Sequence, residues 1–446
     1  MPLTVRDAFA ALLEADPTAT VAWTPDGIRC RADLDASAGL FEQLLAGTPV
    51  GSRVGLCVRD GFAFLGAFLA CVRRGDAAML FDAADPRAPR LDLAARFGLR
   101  AIVVDAPAPR VLPCEGRAPA GQHRAIKLTS GSTGEPNAVA VGDAELLADG
   151  AALEGTMGIG DGDRVLAAVP MSFSYGVGNL LVPALCRGRE LVLPGSGPLG
   201  LLGAMRAAAP TVLPAVPALL RALCSGAPAL PDSLRLVLSA GAVLQRDVAA
   251  AFRRRFTLPV HTFYGSTESG GISYDRTGEA AERGTVGRPV DGVDVTIDDD
   301  GRVVVTSPAV GTALSGCGNP AGGRFVAPDL GAFVDGELVL QGRAGDVFDV
   351  GGHKVDPREV ERIIAQLDDV QDVAVLPWRD EQGRAACAAI VASDDACAER
   401  VRRHCAEVLP AAKVPRRITV VPSLPRSERG KLVREQLERL LQRDDA

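Results

Sequence analysis

The stretch AIKLTSGSTGEPNAVAV, Ala125 to Val141, decides most of what can be read from this chain. Two apolar runs, AIKL and VAV, bracket a segment with four hydroxyl residues and two glycines. Glycines let backbone N–H groups turn inward, and hydroxyls add donors, so such a segment can form an anion-binding concavity. It can equally be a plain Ser/Gly turn. It does not match GxxxxGK[ST], and Asn137 follows Pro136 where a nucleotide-binding loop usually carries lysine. If the loop holds phosphates, its positive charge comes from elsewhere.

On either side, strand and helix signals alternate. SRVGLCV, AAMLF and RAIVVDA read as buried strands, and FAFLGAFLACVRRG and LDLAARFGL as helices between them. RADLDASAGLFEQLLAG places Leu34, Leu40, Phe41, Leu44 and Leu45 at helical spacing and ends at Gly47. The alternation continues through LRLVLSAG, LQRDVAAAFRRRF and LPVHTFYG, which argues an α/β fold with an at least partly parallel sheet. Residues 284–342 change character, with period-two alternation and a DDDG turn that predict a β-hairpin-rich, barrel-like subdomain. From Arg343 a segment of about 100 residues alternates helices and strands again. The expected domains are 1–342 and 343–446.

Length and composition bound the function. A chain of 446 residues exceeds one ordinary core, and 47% hydrophobic with 23% charged residues is globular. A net charge of -7 gives no general support for nucleic-acid binding. The ten cysteines include no CxxC pair or Cys/His cluster, as expected of a reduced, cytoplasmic chain. MPLTVRDAFAALLEADP lacks the pattern of a signal peptide, and Phe62 to Val72 is too short an apolar run to span a bilayer.

Two further segments carry possible chemistry. FYGSTESGG, Phe263 to Gly271, offers a tyrosine for base stacking, hydroxyls at Ser266 and Thr267, and the carboxylate of Glu268. One protein carboxylate beside phosphates is a common Mg²⁺ arrangement, although a solvent-facing strand end reads the same way. LPRSERGKLVREQL presents Lys431 after a glycine, either as a mobile point charge or as a surface lysine.

Taken together and in order, these segments resemble the adenylate-forming superfamily of acyl- and aryl-CoA synthetases, nonribosomal peptide synthetase adenylation domains and luciferase. Thr129 to Pro136 is similar to its phosphate loop, Tyr264 to Glu268 matches its YGxTE motif, and Leu424 to Arg426 with Gly430-Lys431 matches its late lysine motif. LSAGAVL, GTVGRPVDGV and GELVLQGRAGDVFDVGGHKVDPREVE resemble intervening family segments, so the likeness covers nearly the whole chain. It implies a large N-terminal domain of two layered αβ subdomains plus a barrel-like one, and a small mobile C-terminal α/β domain.

The likeness also implies a reaction and its residues. A carboxylate attacks the α-phosphate of MgATP, giving acyl-AMP and pyrophosphate; a thiol of CoA or of carrier-protein phosphopantetheine then takes the acyl group. Thr129, Ser130, Gly131, Ser132, Thr133 and Gly134 would hold phosphates, and Gly241 and Ala242 would line the adenine that Tyr264 stacks on. Thr267 would touch the α-phosphate, and Glu268 would bind Mg²⁺. Asp329 would grip the ribose, with Arg343 at the start of the hinge and Gly345 at its turning point. Lys431 would bridge the acid and the α-phosphate until domain rotation brings Gly351, Gly352, His353 and Lys354 to the thiol step. Three departures from the family pattern stand out: Asn137 for lysine, APD for TGD before Leu330, and glycine at 345.

The acyl pocket is expected between the PMSFSYG segment and the YGSTE strand, at Phe173, Tyr175, Asn179, Gly265 and Gly270. Phe173 either gates the channel or fills core; Asn179 either binds a substrate group or caps a helix start. No acidic residue early in this segment matches the aspartate that holds an α-amino group, which favours an aryl or acyl acid over an amino acid. The alternatives are transfer to an amine or hydroxyl, and a nucleotide-binding protein without catalysis.

Overall fold

The computed structural model describes residues 4–84, 90–105, 108–129, 136–226, 229–315, 320, 322–344, 348–350, 353–379, 385–393, 397–426 and 432–442. The chain divides into two units. The larger comprises Met1–Thr296, Val304–Val326 and Phe333–Leu338; the smaller comprises Ile297–Val303, Ala327–Ala332 and Val339–Ala446.

Short β-branched strands followed by amphipathic helices build two sheets in the larger unit. In the first, nine strands lie in the order Arg288–Pro289, Gly270–Tyr274, His261–Ser266, Leu236–Ser239, Val212–Ala215, Arg164–Leu166, Glu190–Val192, Thr20–Thr24, Gly27–Cys30. The run from His261–Ser266 to Thr20–Thr24 is parallel, and antiparallel strands close both edges. The second has seven strands: Thr312–Ser315, Asn137–Gly142, His123–Thr129, Ala77–Leu80, Arg53–Cys57, Ala101–Val104, Arg110–Pro113.

Alternate residues of each strand sort to opposite cores, as the pleat requires. Val54, Leu56 and Ala125 of the seven-stranded sheet share one core with Leu236, Leu238 and Phe263 of the nine-stranded sheet. The helices Gly61–Arg74 and Asp143–Met157 contribute Phe68, Leu146 and Leu153 to that core, so they lie between the sheets. Ile102 and Ile126 face a separate core under the helix Leu91–Phe97. The helix expected from Leu34 onward runs Arg31–Leu44; Leu34 and Phe41 are buried, but Leu40 and Leu44 face solvent.

The region 284–342 is β-rich, as expected: Asp294–Ile297, Arg302–Thr306, Arg324–Val334 and Glu337–Arg343 form a four-stranded sheet. Arg288–Pro289 extends the nine-stranded sheet, and Thr312–Ser315 pairs antiparallel with Asn137–Gly142. Period-two alternation identifies a strand but not which sheet edge it will satisfy. In the smaller unit, Asp372–Arg379, Ala385–Ala392 and Arg417–Val421 form a three-stranded sheet. The helices Pro357–Ile364 and Ala398–Val408 pack on one face through Val360, Ile364, Val401 and Cys405. Arg434–Gln442 packs on the other through Leu437 and Leu441.

Candidate active site

The YGSTE segment becomes a hairpin. His261–Ser266 pairs antiparallel with Gly270–Tyr274, and Ser266 faces Gly270, leaving Thr267, Glu268 and Ser269 as a three-residue turn. Gly270 takes φ 71°, the left-handed position that such hairpins give to glycine. Ser266 Oγ accepts the Ser269 N–H at 3.1 Å and lies 3.0 Å from Ser269 Oγ. The Glu268 carbonyl accepts the Gly311 N–H at 2.8 Å. The turn is therefore pinned from both sides, with Thr267 and Glu268 at its tip, half-buried.

The loop of the opening stretch closes a second hairpin. His123–Thr129 pairs with Asn137–Gly142, with Thr129 opposite Asn137 and Lys127 opposite Val139. Ser130 to Gly134 lie outside the described residues, while Thr129 stands at the loop's mouth. Asn137 is a strand residue, and Arg96 Nη1 donates to the neighbouring Pro136 carbonyl at 3.1 Å.

Two charged residues absent from the sequence expectations act on each other here without touching. Ala125 faces the inter-sheet core and Ile126 the outer one, so alternation turns Lys127 inward. It is 4% exposed. Burial pulls its ammonium below the ordinary lysine range, and Asp149, Glu268 and Glu145 oppose that in decreasing order. Asp149 comes from the helix Asp143–Met157, between Leu146 and Leu153 on its buried face. Its Oδ1 accepts the Gly271 N–H at 2.9 Å. Burial raises its carboxyl above the usual range, against the pull of Lys127 and that hydrogen bond. A signal was available, since positions i, i+3 and i+7 from Leu146 put a carboxylate on an apolar stripe.

The expected acyl-pocket residues lie on this same side. Phe173 precedes the helical turn Ser174–Gly176, and Val177–Leu181 continues as a π-helix, a form often found at functional sites. The Tyr175 ring packs on Phe263, with centroids 5.7 Å apart. Asn179 is not a helix cap: it is 3% exposed inside the π-helix, and its Nδ2 donates to the Tyr175 carbonyl at 3.1 Å. Its Oδ1 is buried with no hydrogen-bond partner among the described residues. Gly265 and Gly270 approach each other closely, since a Cβ on Gly265 would lie 2.7 Å from the Gly270 carbonyl oxygen.

Gly241, at φ 83°, turns the chain after Leu236–Ser239; it and Ala242 are exposed. Within the smaller unit, Asp329 is 8% exposed and accepts from Arg343 Nε at 3.0 Å. Gly345, Gly351, Gly352 and Lys431 lie outside the described residues, as do the side chains of His353 and Lys354, whose backbone opens the strand His353–Val355. The structure thus gathers Thr129, Tyr264, Thr267, Glu268 and the pocket residues into the larger unit, and pairs Asp329 with Arg343 in the smaller.

Two layered sheets carrying these hairpins, with a small α/β unit, are the architecture of the adenylate-forming enzymes. The chain aligns with TM-score 0.84 to o-succinylbenzoate CoA synthetase of Bacillus subtilis, solved with an acyl-adenylate intermediate, at 22% identity and 97% coverage of each chain. This chain belongs to the AMP-binding enzyme family, whose profile matches residues 110–312 and whose C-terminal-domain profile matches residues 359–431. It is 29% identical to a 4-hydroxybenzoate--CoA/benzoate--CoA ligase of Rhodopseudomonas palustris, over 69% of this chain and 62% of that protein. It is 26% identical to a benzoate--CoA ligase of Thauera aromatica, over 92% and 88% respectively. The match thus spans less than two thirds of the first relative's length.

Proposed function

We propose that this enzyme activates a carboxylic acid with ATP and transfers the acyl group to a thiol, with an aryl acid as substrate. The observation that carries this reading is the pinned turn Ser266–Gly270, which presents a hydroxyl and a carboxylate at one hairpin tip. Adenylation needs in-line placement and charge stabilisation at the α-phosphate more than it needs proton transfer. A rigid tip supplies placement. Two aryl-CoA ligases among the relatives support the aryl acid.

In the first step a carboxylate oxygen bonds to the α-phosphorus, and the bond to pyrophosphate breaks. Thr267 holds an α-phosphate oxygen, Thr129 and the loop that follows hold the other phosphates, and Tyr264 carries the adenine. Among the described residues no cluster of three or more His, Cys, Asp or Glu groups could cage a metal. Mg²⁺ beside a triphosphate does not need one, because it takes one or two protein carboxylates and fills its shell with phosphate and water. Glu268 fits that role, and a bound Mg²⁺ would neutralise charge on the phosphate oxygens. Lys431 supplies the further cation for adenylation, and residues 343–446 act as the mobile domain that turns at Gly345. In the second step a thiolate attacks the acyl carbonyl, and AMP leaves.

The acceptor is CoA or the phosphopantetheine of a carrier protein, and the chemistry belongs in the cytoplasm, where thiols stay reduced. The cysteines among the described residues form no disulfide. No helix among them is long and apolar enough to cross a membrane. Incubation with ATP, benzoate and CoA, followed by mass spectrometry, tests this reading. The expected products are an acyl-CoA and AMP; ADP as the nucleotide product overturns it.

A further inference from the structure

Asp149 occupies a space that two glycines leave open. A Cβ on Gly270 would lie 2.3 Å from Asp149 Oδ1, and one on Gly178 would lie 2.8 Å from Oδ2. Gly271 donates its N–H to Oδ1, and a Cβ there would meet Leu153, one helical turn beyond Asp149, at 2.5 Å. Gly178 belongs to the π-helix after Phe173, and Gly270 and Gly271 follow the Thr267–Glu268 turn. The carboxylate therefore stands between the two segments expected to flank the acyl group.

Its hydrogen bonding is incomplete. Among the described residues Lys127, although 4% exposed, makes neither a hydrogen bond nor an ion pair, yet Asp149 is the strongest charge acting on it. Asp149 is only half-buried by surface, and among the described residues its Oδ2 receives no donor. A pair serving structure alone would close to contact and satisfy both oxygens. Here the ammonium and the carboxylate make no ion pair, and the carboxylate is only half-buried.

We infer that Asp149, positioned by Lys127, is a specificity-determining residue of the acyl pocket, and that the substrate acid carries a neutral hydrogen-bond donor, a hydroxyl or an aromatic amine. The inference rests on the adenylation reading above. A neutral donor suits the site because Lys127 already balances the charge of Asp149. A second carboxylate on the substrate would meet Asp149, with Glu268 and Glu145 also acting on the same ammonium. The donor completes Oδ2, and an acid without it leaves that oxygen desolvated and unpaired.

The test is ATP–pyrophosphate exchange with benzoate against its hydroxy- and amino-substituted forms, in wild type, Asp149→Asn, Asp149→Leu and Lys127→Met. Wild type is expected to favour at least one donor-bearing acid by ~10-fold or more in kcat/KM, the asymmetry of a site built for a donor. Asp149→Leu should bring that ratio near one, and Asp149→Asn and Lys127→Met should reduce it. A folding defect lowers both acids alike, so the ratio within one variant separates specificity from stability. No preference in wild type, or an unchanged ratio in both Asp149 variants, overturns the inference and leaves the adenylation reading standing. No exchange with any acid overturns both.

Discussion

Gly271 donates its backbone N–H to Asp149 Oδ1 at 2.9 Å, tying the helix Asp143–Met157 to the strand that leaves the Thr267–Glu268 turn. That bond joins residues 122 apart in sequence. It makes the inter-sheet helix part of the candidate active site.

Gly270→Ala should be among the more damaging single changes in the larger unit. Its φ of 71° disfavours a side chain, and the added Cβ would lie 2.3 Å from Asp149 Oδ1. Left-handed strain and overpacking together should lower stability by about 2 kcal/mol or more, read by urea unfolding. Combining it with Asp149→Ala should cost less than the sum of the two single changes, because the clash is then gone. Strict additivity would contradict the close approach.

Lys127 and Asp149 should be coupled in stability. Lys127→Met alone leaves a carboxylate without its strongest cationic neighbour, whereas Lys127→Met with Asp149→Asn removes both charges. The double variant should unfold at higher urea than the sum of the single changes predicts, by a coupling of about 1 kcal/mol or more. Zero coupling would mean that the two groups do not sense each other.

How much of this could be read beforehand depended on sequence distance. The strand LPVHTFYG running into STESGG was accessible from its short apolar run, whereas the hairpin it makes with Gly270–Tyr274 was not read. Asp149 was not, since its significance depends on Gly178 and Gly271, which only the packed fold brings to it. Its position on the buried face of a helix was visible, as was Lys127 in the Ala125–Val141 stretch, but periodicity does not say what a buried charge faces. Asn179 shows the same limit: polar in an apolar run, it suggested either a substrate contact or a cap, and the π-helix rules out the cap. The strands Arg288–Pro289 and Thr312–Ser315 were identifiable as extended, yet the sheets they complete depend on distant edges.

Acid should weaken the larger unit at Glu337. Its carboxylate accepts from Arg283 Nη2 at 2.7 Å, from Arg283 Nε at 3.0 Å and from Thr285 Oγ1 at 2.6 Å. The Arg283 hydrogen bonds hold its pKa below the ordinary value of 4.5. With the folded-state pKa depressed, the unfolded chain binds more protons in that window, so this stability is present above pH 4.5 and lost as pH falls through the depressed value. Glu337→Gln should cost about 1 kcal/mol at neutral pH and flatten that part of the stability–pH curve. An unaltered curve would show that the pair contributes nothing to folding.

Lys431→Ala should separate the half-reactions. Losing the cation that adenylation requires should slow acyl-AMP formation by about 100-fold or more. Thioester formation from supplied acyl-AMP should remain near the wild-type rate, as followed by single-turnover chromatography. Equal loss of both steps would contradict the assignment of Lys431 to adenylation alone.

The most direct test of the central claim is ATP–pyrophosphate exchange across a panel of aryl, short-chain and long-chain acids. Acid-dependent exchange, strongest with an aryl acid and lost in Lys431→Ala, is the predicted result. Exchange that needs no acid and is equal in wild type and Lys431→Ala, or no exchange with any acid, would contradict it.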